Sequence, residues 1–145
     1  MAIFSKTCEY AIRAVFYIAH KSAGGKKVGI KEVAAGIDSP ELYLAKILQD
    51  LSRKGLISSA KGPNGGFFFS EYSLARPLGD IVEAVDGNDL FYGCALGLKQ
   101  CSEVNPCPLH NQFKAIRDQI HHLLQHTTIG EFNEDLFNGL LSLKK

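Results

Sequence analysis

The stretch between residues 30 and 70 constrains the fold most, because two short helices and a glycine-rich hairpin follow one another there. Apolar residues predict a first helix from about Ile30 to Ala35, which Gly36 ends. A second helix begins within the sequence DSPE, at residues 38–41, and continues to Lys54, where a glycine ends it. Its apolar residues recur at helical spacing and predict one buried stripe of Leu44, Ile47, Leu48 and Leu51.

Two arrangements can begin the second helix. Ser39 can cap it with Pro40 at the first helical position, or Asp38 can cap it with Glu41 closing a capping box. After the helix, LISSAK and FFFS predict two short strands joined by the turn GPNGG. Helix, turn, helix and hairpin in this order predict a winged helix-turn-helix with the second helix as its recognition helix.

The rest of the chain predicts more helix, so the fold class is mainly α with a small β-hairpin. A first helix from about Ser5 to Lys21 is apolar on more than one face and should be buried. Further helices are predicted from Pro77 to about Val85, from about Leu109 to His126, and once in the tail. We expect a DNA-binding domain at 1–75, a connecting helix and cysteine loop at 76–108, and a dimerisation helix with its tail at 109–145.

The long helix near the C-terminus carries a narrow apolar seam. Its members are spaced 3, 4 and 3 residues apart, at Phe113, Ile116, Ile120 and Leu123. A seam this narrow favours pairing with the same helix of a second subunit, which predicts a homodimer. The alternative is that the seam packs on its own domain.

Charge divides the chain into two halves with different partners. Residues 1–70 carry ten Lys or Arg and five Asp or Glu, whereas residues 71–145 carry six and ten. The basic half suits a polyanion such as double-stranded DNA. The sequence shows no membrane span, signal peptide, nucleophile motif or phosphate loop, so we expect a cytoplasmic protein that is not an enzyme.

The predicted recognition helix and wing supply the candidate DNA contacts. A recognition helix places its exposed side chains at base edges and phosphates of the major groove, and a wing reaches the minor groove or backbone. The alternative for each residue is a solvated surface. The candidates are Glu41, Tyr43, Lys46, Gln49 and Arg53 on the helix, and Lys61 and Asn64 on the wing.

Three cysteines cluster in the irregular segment before the long helix. Cys94, Cys101 and Cys107 have the spacing Cys-x6-Cys-x5-Cys, and His110 follows at the helix start. Thiolates bind soft metals, and iron–sulfur clusters are held mostly by Cys with His as an occasional replacement. The wide spacing favours a cluster over a zinc knuckle, although zinc, free redox thiols and an electron carrier stay open. Cys8, on the apolar first helix, is expected to be a buried hydrophobe.

Several motifs together resemble one bacterial family across nearly the whole chain. They are FSKTCEYAIRAVFYIA, YLAKILQDLSRKGLI, KGPNGGF, LGDIVEAVDG, the cysteine loop ending CPLH, and TTIGEF. In these motifs, the chain is similar to the Rrf-type (BadM-like) winged-helix transcription regulators. The resemblance implies a homodimer with crossed long helices on a pseudo-palindromic operator.

The cysteine-containing branch of that family includes iron–sulfur cluster regulators and nitric-oxide sensors. One pattern in it implies a [2Fe–2S] cluster completed by His110, which we favour. A second pattern implies a [4Fe–4S] cluster completed by a carboxylate of the partner's first helix, where this chain has Glu9. Two residues depart from the branch: Ala45 replaces a Glu that tunes site choice, and Lys61 replaces an Arg. Its DNA sequence preference is therefore not expected to transfer.

The resemblance and the residues together lead to one functional hypothesis. Assembly, oxidation, nitrosylation or loss of the cluster changes the order and charge of residues 94–110. Because this loop leads into the dimer helix, its state can alter the spacing of the two recognition helices and hence repression or activation. His121, His122 and His126 on the long helix are expected to lie at the surface or an interface and not to be ligands.

Overall fold

The computed structural model describes residues 3–144. It contains α1 (Lys6–Lys21), α2 (Ile30–Ile37), α3 (Glu41–Arg53), β1 (Ser58–Ala60), β2 (Gly66–Phe68), α4 (Glu71–Leu74), α5 (Gly79–Asp86), α6 (Asp89–Tyr92), α7 (His110–His126) and α8 (Asn133–Phe137). The mainly helical fold with one hairpin is therefore confirmed. None of the helices within residues 3–144 has the length and apolar character needed to cross a membrane.

Helix α1 is the centre of the core. It contacts α2, α3, α5 and α8, so its apolar residues are covered on several sides, as predicted. Its N-terminus is fixed by Ser5, whose hydroxyl accepts a hydrogen bond from the Cys8 amide at 3.0 Å. The Ser5 amide in turn donates to the Asp86 carboxylate at 2.9 Å, which ties the start of α1 to the end of α5. Residues buried on α1 are Cys8, Ala11, Ala14, Val15, Ile18 and Ala19.

The helix-turn-helix is present, but the prediction that Gly36 ends its first helix is wrong. Helix α2 continues through Gly36 to Ile37, and Asp38 ends it in a left-handed conformation with φ of 57°. The glycine serves close packing: a Cβ built there would lie 2.1 Å from the Tyr17 ring. Packing against α1 therefore explains a glycine inside this helix.

Both predicted caps of α3 are also wrong. Pro40 occupies the N-cap position, and no side chain in the described part of the chain, residues 3–144, caps the helix. The Ser39 hydroxyl donates to the Pro40 carbonyl at 3.3 Å, and Asp38 ends the preceding helix instead. The predicted stripe is confirmed, because Leu44, Ile47, Leu48 and Leu51 are all buried.

Ser5, which caps α1, and Ser39, which does not cap α3, give a matched test of helix capping. Ser5→Ala is expected to destabilise the protein by about 1–2 kcal/mol, because it removes an N-cap acceptor. Ser39→Ala is expected to change the free energy of unfolding by no more than about 0.5 kcal/mol, because its hydroxyl accepts no helix amide. Urea denaturation of both variants measures the difference. An equal loss in the two would contradict the assignment of the caps.

The hairpin packs beside the recognition helix. Strands β1 and β2 are antiparallel, with Ser59 paired to Phe67, and Val28 adds a bridge to Phe67 on the other side. Gly66 has φ of 147° and lies so close to Val28 that an added Cβ would be 2.7 Å from its carbonyl oxygen. The wing is thus attached to the loop before α2, which orients it against the helix-turn-helix.

The chain after the wing differs in detail from expectation. Helix α5 begins at Gly79 and not at Pro77, because residues 77 and 78 pair with the chain after α7. The Leu78 amide donates to the Thr127 carbonyl at 2.7 Å. The short helices α4 and α6 were not predicted, since one turn is too short to show a periodic pattern.

Helix α7 has two distinct faces. His110, Arg117 and Leu124 are seven residues apart and face the domain, where they are buried. The predicted seam lies elsewhere: Phe113, Ile116 and Leu123 are 41%, 53% and 61% exposed. Ile120 alone of the seam packs against the core. Packing on its own domain therefore accounts for Ile120 but not for the exposed surface of the other three seam residues.

Candidate cysteine site and nucleic-acid interface

Most of the predicted DNA-reading residues of α3 lie away from its buried stripe. Lys46, Gln49 and Arg53 are exposed on the opposite face, whereas Glu41 is exposed at the start of the helix. Tyr43 differs, because its hydroxyl forms a hydrogen bond with the Thr7 hydroxyl and its ring meets Tyr10 edge-on at 5.6 Å. Tyr43 is therefore held against α1 and is only 38% exposed.

A groove separates α3 from the wing. Its volume is about 300 Å³, and Gln49 and Ala45 form part of its helix wall, while Ser59, Ala60 and the wing glycines form the other. Lys61 and Asn64 are exposed on the wing beyond β1. Among the residues predicted to contact DNA, Gln49 lines this groove. Lys61 and Asn64 lie on the adjacent wing loop.

The four predicted metal-binding residues converge where the cysteine loop meets α7. The loop leaves α6 at Gly93 and returns at the first turn of α7, so residues far apart in sequence share one small pocket. That pocket is lined by Cys94, Ala95, Cys101, Cys107, His110, Phe113, Lys114 and Arg117.

His110 is the most constrained of these side chains. It is buried, and its Nδ1 lies 3.3 Å from the Cys101 sulfur. Its other ring nitrogen, Nε2, is buried and has no hydrogen-bond partner among residues 3–144. An unpaired buried ring nitrogen is costly, so this atom needs a ligand or a rearrangement of the loop.

Arg117 belongs to the same site but was not among the predicted residues. Its side chain is buried, its Nη1 lies 3.4 Å from the Cys101 sulfur, and it also donates to the Gly93 carbonyl. Among residues 3–144 it makes no ion pair with a carboxylate. The sequence feature that could have identified Arg117 is its position seven residues after His110, which places both residues on the same face of α7. Arg117 therefore brings a positive charge to the thiol site.

The cysteines differ in how readily they ionise. Hydrogen bonds from the Leu96 and Leu98 amides, with a smaller contribution from the Cys107 thiol, lower the pKa of Cys94 below its ordinary value. Burial, together with the nearby Asp86 carboxylate, raises the pKa of Cys8 to about 12. Cys8 is fully buried and behaves as the predicted core hydrophobe.

Alkylation of metal-free protein tests this order. At about pH 8 we expect iodoacetamide to modify Cys94 first, because its lowered pKa gives more thiolate at a given pH. Cys8, with a pKa of about 12, holds only about one thiolate in ten thousand and should not react. Peptide mass spectrometry measures both rates. Protein unfolded in guanidinium chloride is the control, where all four thiols should react alike; rapid labelling of Cys8 in folded protein would contradict the burial.

The loop is closed in this conformation. The space among the candidate ligands is only about 10 Å³, which is at the lower limit of what one water molecule needs. Within residues 3–144, no three His, Cys, Asp or Glu side chains are grouped tightly enough to hold a metal ion as they stand. A cavity of about 850 Å³ adjoins the site and shares Cys94, Cys101 and Phe113 with it. The loop therefore has room to open beside the thiols.

Glu9 and the other histidines lie outside this pocket. Glu9 is on the outer face of α1, where its carboxylate pairs with Lys6 at 3.6 Å beside an open groove. His122 and His126 stack on each other at 3.9 Å on the exposed side of α7, and His121 packs on Phe91. Within one chain, the structure brings together the cysteines and His110 but not Glu9.

Comparison with known proteins identifies the family. The model of the Rrf2 family, described as an iron-dependent transcriptional regulator, matches residues 4–135. A putative HTH-type transcriptional regulator of Aquifex aeolicus (strain VF5) is 33% identical over 138 residues, which cover 94% of this chain and 92% of that protein. The HTH-type transcriptional regulator IscR of Escherichia coli is 26% identical over 122 residues, covering 84% and 74%.

Solved structures share the fold at lower identity. CymR of Bacillus subtilis, described as the global cysteine regulator, superposes with a TM-score of 0.73 at 23% identity, covering 92% of this chain and 98% of that one. IscR of T. potens gives a TM-score of 0.71 at 22% identity, covering 95% and 90%. Family match, relatives and fold agree with the helix-turn-helix, the wing and the exposed face of α3. The chain belongs to the Rrf2 family of winged-helix transcriptional regulators and is, like IscR, a DNA-binding regulator and not an enzyme.

Proposed function

We propose that this regulator is a cytoplasmic homodimer whose affinity for a pseudo-palindromic operator is switched by an iron–sulfur cluster. Cys94, Cys101, Cys107 and His110 are the proposed ligands, and [2Fe–2S] is favoured over [4Fe–4S]. The observation that carries the proposal is the convergence of these four side chains at the start of α7. In this scheme residues 1–75 bind DNA, residues 76–108 sense, and residues 109–145 dimerise.

The donor set fits such a cluster chemically. Three thiols and one imidazole are the ligand types that iron–sulfur clusters use, and the buried Nε2 of His110 has no other partner. The intervals of six and five residues between the cysteines are wider than those of zinc knuckles, and a cluster presents ligand positions further apart than a single ion does. When bound, the cluster supplies a redox- and nitric-oxide-sensitive centre. Arg117 supplies positive charge beside it, which offsets the negative charge of thiolate ligands.

His110 is favoured as the fourth ligand over the partner's Glu9. His110 already lines the thiol pocket, whereas Glu9 reaches it only if a second subunit brings α1 to the loop. Glu9 of the partner subunit stays the alternative for a [4Fe–4S] cluster.

In this proposal, helix α7 transmits the change at the cysteine loop to the DNA-binding helices. Phe113 lines the thiol pocket and also belongs to the exposed seam, so opening of the loop changes the surface proposed to pair with a second subunit. A shift of the paired helices alters the separation of the two α3 helices on the operator. Differential affinity of this kind is typically about 1–3 kcal/mol, or roughly 5- to 150-fold.

One observation favours a second candidate, in which the thiols themselves are the sensor. The lowered pKa of Cys94 makes it a reactive thiol in metal-free protein, and Cys107 lies close enough to contribute to that shift. A peroxide would then oxidise two loop cysteines to a disulfide by taking two electrons and two protons from the thiols, without any metal.

Anaerobic purification separates the candidates. The cluster proposal expects a coloured protein with iron and sulfide in proportion to the chain, whose DNA affinity changes when the cluster is removed. A colourless protein with one zinc per chain would overturn it, and so would a coloured protein with unchanged DNA affinity. A colourless, metal-free protein whose affinity changes on thiol oxidation would establish the second candidate instead.

The proposed DNA contacts are tested by salt dependence. Lys61→Ala is expected to reduce the slope of log affinity against log salt by about one per subunit, because one phosphate contact is lost. Lys144→Ala, which removes a lysine hydrogen-bonded to the Ala35 carbonyl, is the control and should leave the slope unchanged. Fluorescence anisotropy over a salt series measures both slopes. Equal slopes of log affinity against log salt for wild type and Lys61→Ala would show that Lys61 makes no phosphate contact.

A further inference from the structure

Leu42 is an anomaly on the recognition helix. It lies in the first turn of α3 with 82% of its surface exposed, whereas Leu44, Leu48 and Leu51 of the same helix are 0% exposed. It was not among the residues predicted to contact DNA. An isolated exposed leucine needs no explanation on an ordinary surface, but this one stands on the surface that reads DNA.

The position of Leu42 relates it to the groove beside the wing. Leu42, Ala45 and Gln49 are three and four residues apart, so they lie along one face of α3. Ala45 and Gln49 line the groove between α3 and the wing, and Leu42 lies one turn closer to the helix N-terminus. Tyr43, its neighbour, is turned away and held by Thr7 and Tyr10. Leu42 and Ala45 therefore form a short apolar strip next to the polar Gln49.

We propose that Leu42 is a specificity-determining residue that selects thymine by contact with its 5-methyl group in the major groove. A recognition helix presents its N-terminal residues to base edges, which is where Leu42 lies. The thymine methyl is the apolar group displayed in that groove, and apolar side chains recognise it by contact. The exposed Lys46 and Gln49 on adjacent turns supply the polar contacts that hold the helix in register.

The inference rests on the proposed binding of α3 to DNA as part of a homodimer, and it does not depend on the cluster. The expected effect follows from the size of one methyl group. Removing the contact with one methyl should weaken binding about fourfold, and with both symmetric methyls of a dimer site about fifteenfold.

The test uses the full-length protein and operators that remove only the methyl group. Selection from a random duplex library gives an operator for the wild-type protein, and each thymine is then replaced by deoxyuridine, which keeps every hydrogen bond. We expect one symmetric pair of thymines whose replacement weakens wild type about fifteenfold. Leu42→Ala should bind the original operator about as weakly and show no further loss on the deoxyuridine operator.

Leu140→Ala is the matched control, because it truncates another exposed leucine far along the chain from α3. It should keep the full preference for thymine over deoxyuridine. The proposal is overturned if Leu42→Ala keeps that preference, or if no thymine position distinguishes wild type from the variant. It is also overturned if Leu42→Ala becomes monomeric in light scattering, which would make Leu42 a subunit contact.

Discussion

Replacing Cys94, Cys101 and Cys107 together by Ala is expected to abolish both the visible absorption and the response of DNA affinity to cluster loss. The three thiols are the only soft ligands that the pocket offers within residues 3–144, so no cluster can be retained without them. The variant should bind the operator with one fixed affinity, and the roughly 5- to 150-fold difference expected between the two states of wild type should disappear. Absorption spectra and operator titrations under anaerobic conditions measure the two effects.

Cys8→Ala is the matched control for this variant. It also removes a thiol, but from the buried start of α1, where the side chain packs in the core. It should cost some stability and leave colour and switching intact. If the triple variant kept a switch of wild-type size, the site at residues 94–110 would not be the sensor.

Single variants then decide the fourth ligand. With His110 as ligand, His110→Ala should destabilise the cluster strongly, while Glu9→Ala should leave it unchanged. The reverse result would assign the role to the partner's Glu9. Because Glu9 faces solvent and pairs only with Lys6 among the described ion pairs, its replacement should not affect folding.

Replacing Arg117 by Met is expected to weaken retention of the cluster about 10- to 100-fold. Groups that contact the ligands orient them and tune the bound metal, and their loss typically has an effect of that size. Arg117 contacts both the Cys101 sulfur and the Gly93 carbonyl. It therefore holds the loop segment between residues 93 and 101 against α7 at both of its ends. The rate at which a chelator removes iron measures the effect.

Lys114→Met is the control for Arg117→Met. Lys114 is also a long basic residue of α7 that lines the pocket, but it forms surface ion pairs with Glu103 and Asp118. Such pairs contribute little, so iron release should stay close to the wild-type rate. Equal acceleration in both variants would indicate a general effect of charge and not the contact with Cys101. Circular dichroism verifies that Arg117→Met is folded.

The sequence predicted the helices with long periodic patterns correctly. The stripe from Leu44 to Leu51, the end of α3 before Gly55 and the turn between β1 and β2 all follow from local rules of spacing and backbone conformation. It erred where a residue's role depends on a distant neighbour. Gly36 was predicted to end a helix, but it is inside one because Tyr17 packs against it. The capping of α3 was a local error: Ser39 or Asp38 was expected to cap the helix, but Asp38 turns left-handed to end α2, and the Ser39 hydroxyl donates to the Pro40 carbonyl.

The candidate site likewise includes residues that the sequence predicted and a residue that only the structure showed. Cys94, Cys101, Cys107 and His110 were predicted as ligands from their residue types and spacing, and the structure brings them to one pocket. Their role as ligands stays a prediction. Arg117 was missed because an arginine on an amphipathic helix is ordinarily solvated, and only folding shows that this one is buried against a thiol. Leu42 lies off the buried stripe of α3, so the helical pattern already indicated its exposure. It was not among the predicted contacts because those were all polar side chains.

The sequence by itself determined the winged helix-turn-helix, the division into a basic and an acidic half, and the four residues of the candidate metal site. Each depends on residue order and local conformation, which are properties of short segments. The tertiary structure alone decided which face of α7 is buried, that one ring nitrogen of His110 has no partner among residues 3–144, and that Arg117 is buried against the Cys101 sulfur. These depend on contacts between residues far apart in the chain, and such contacts are fixed only when the whole core packs.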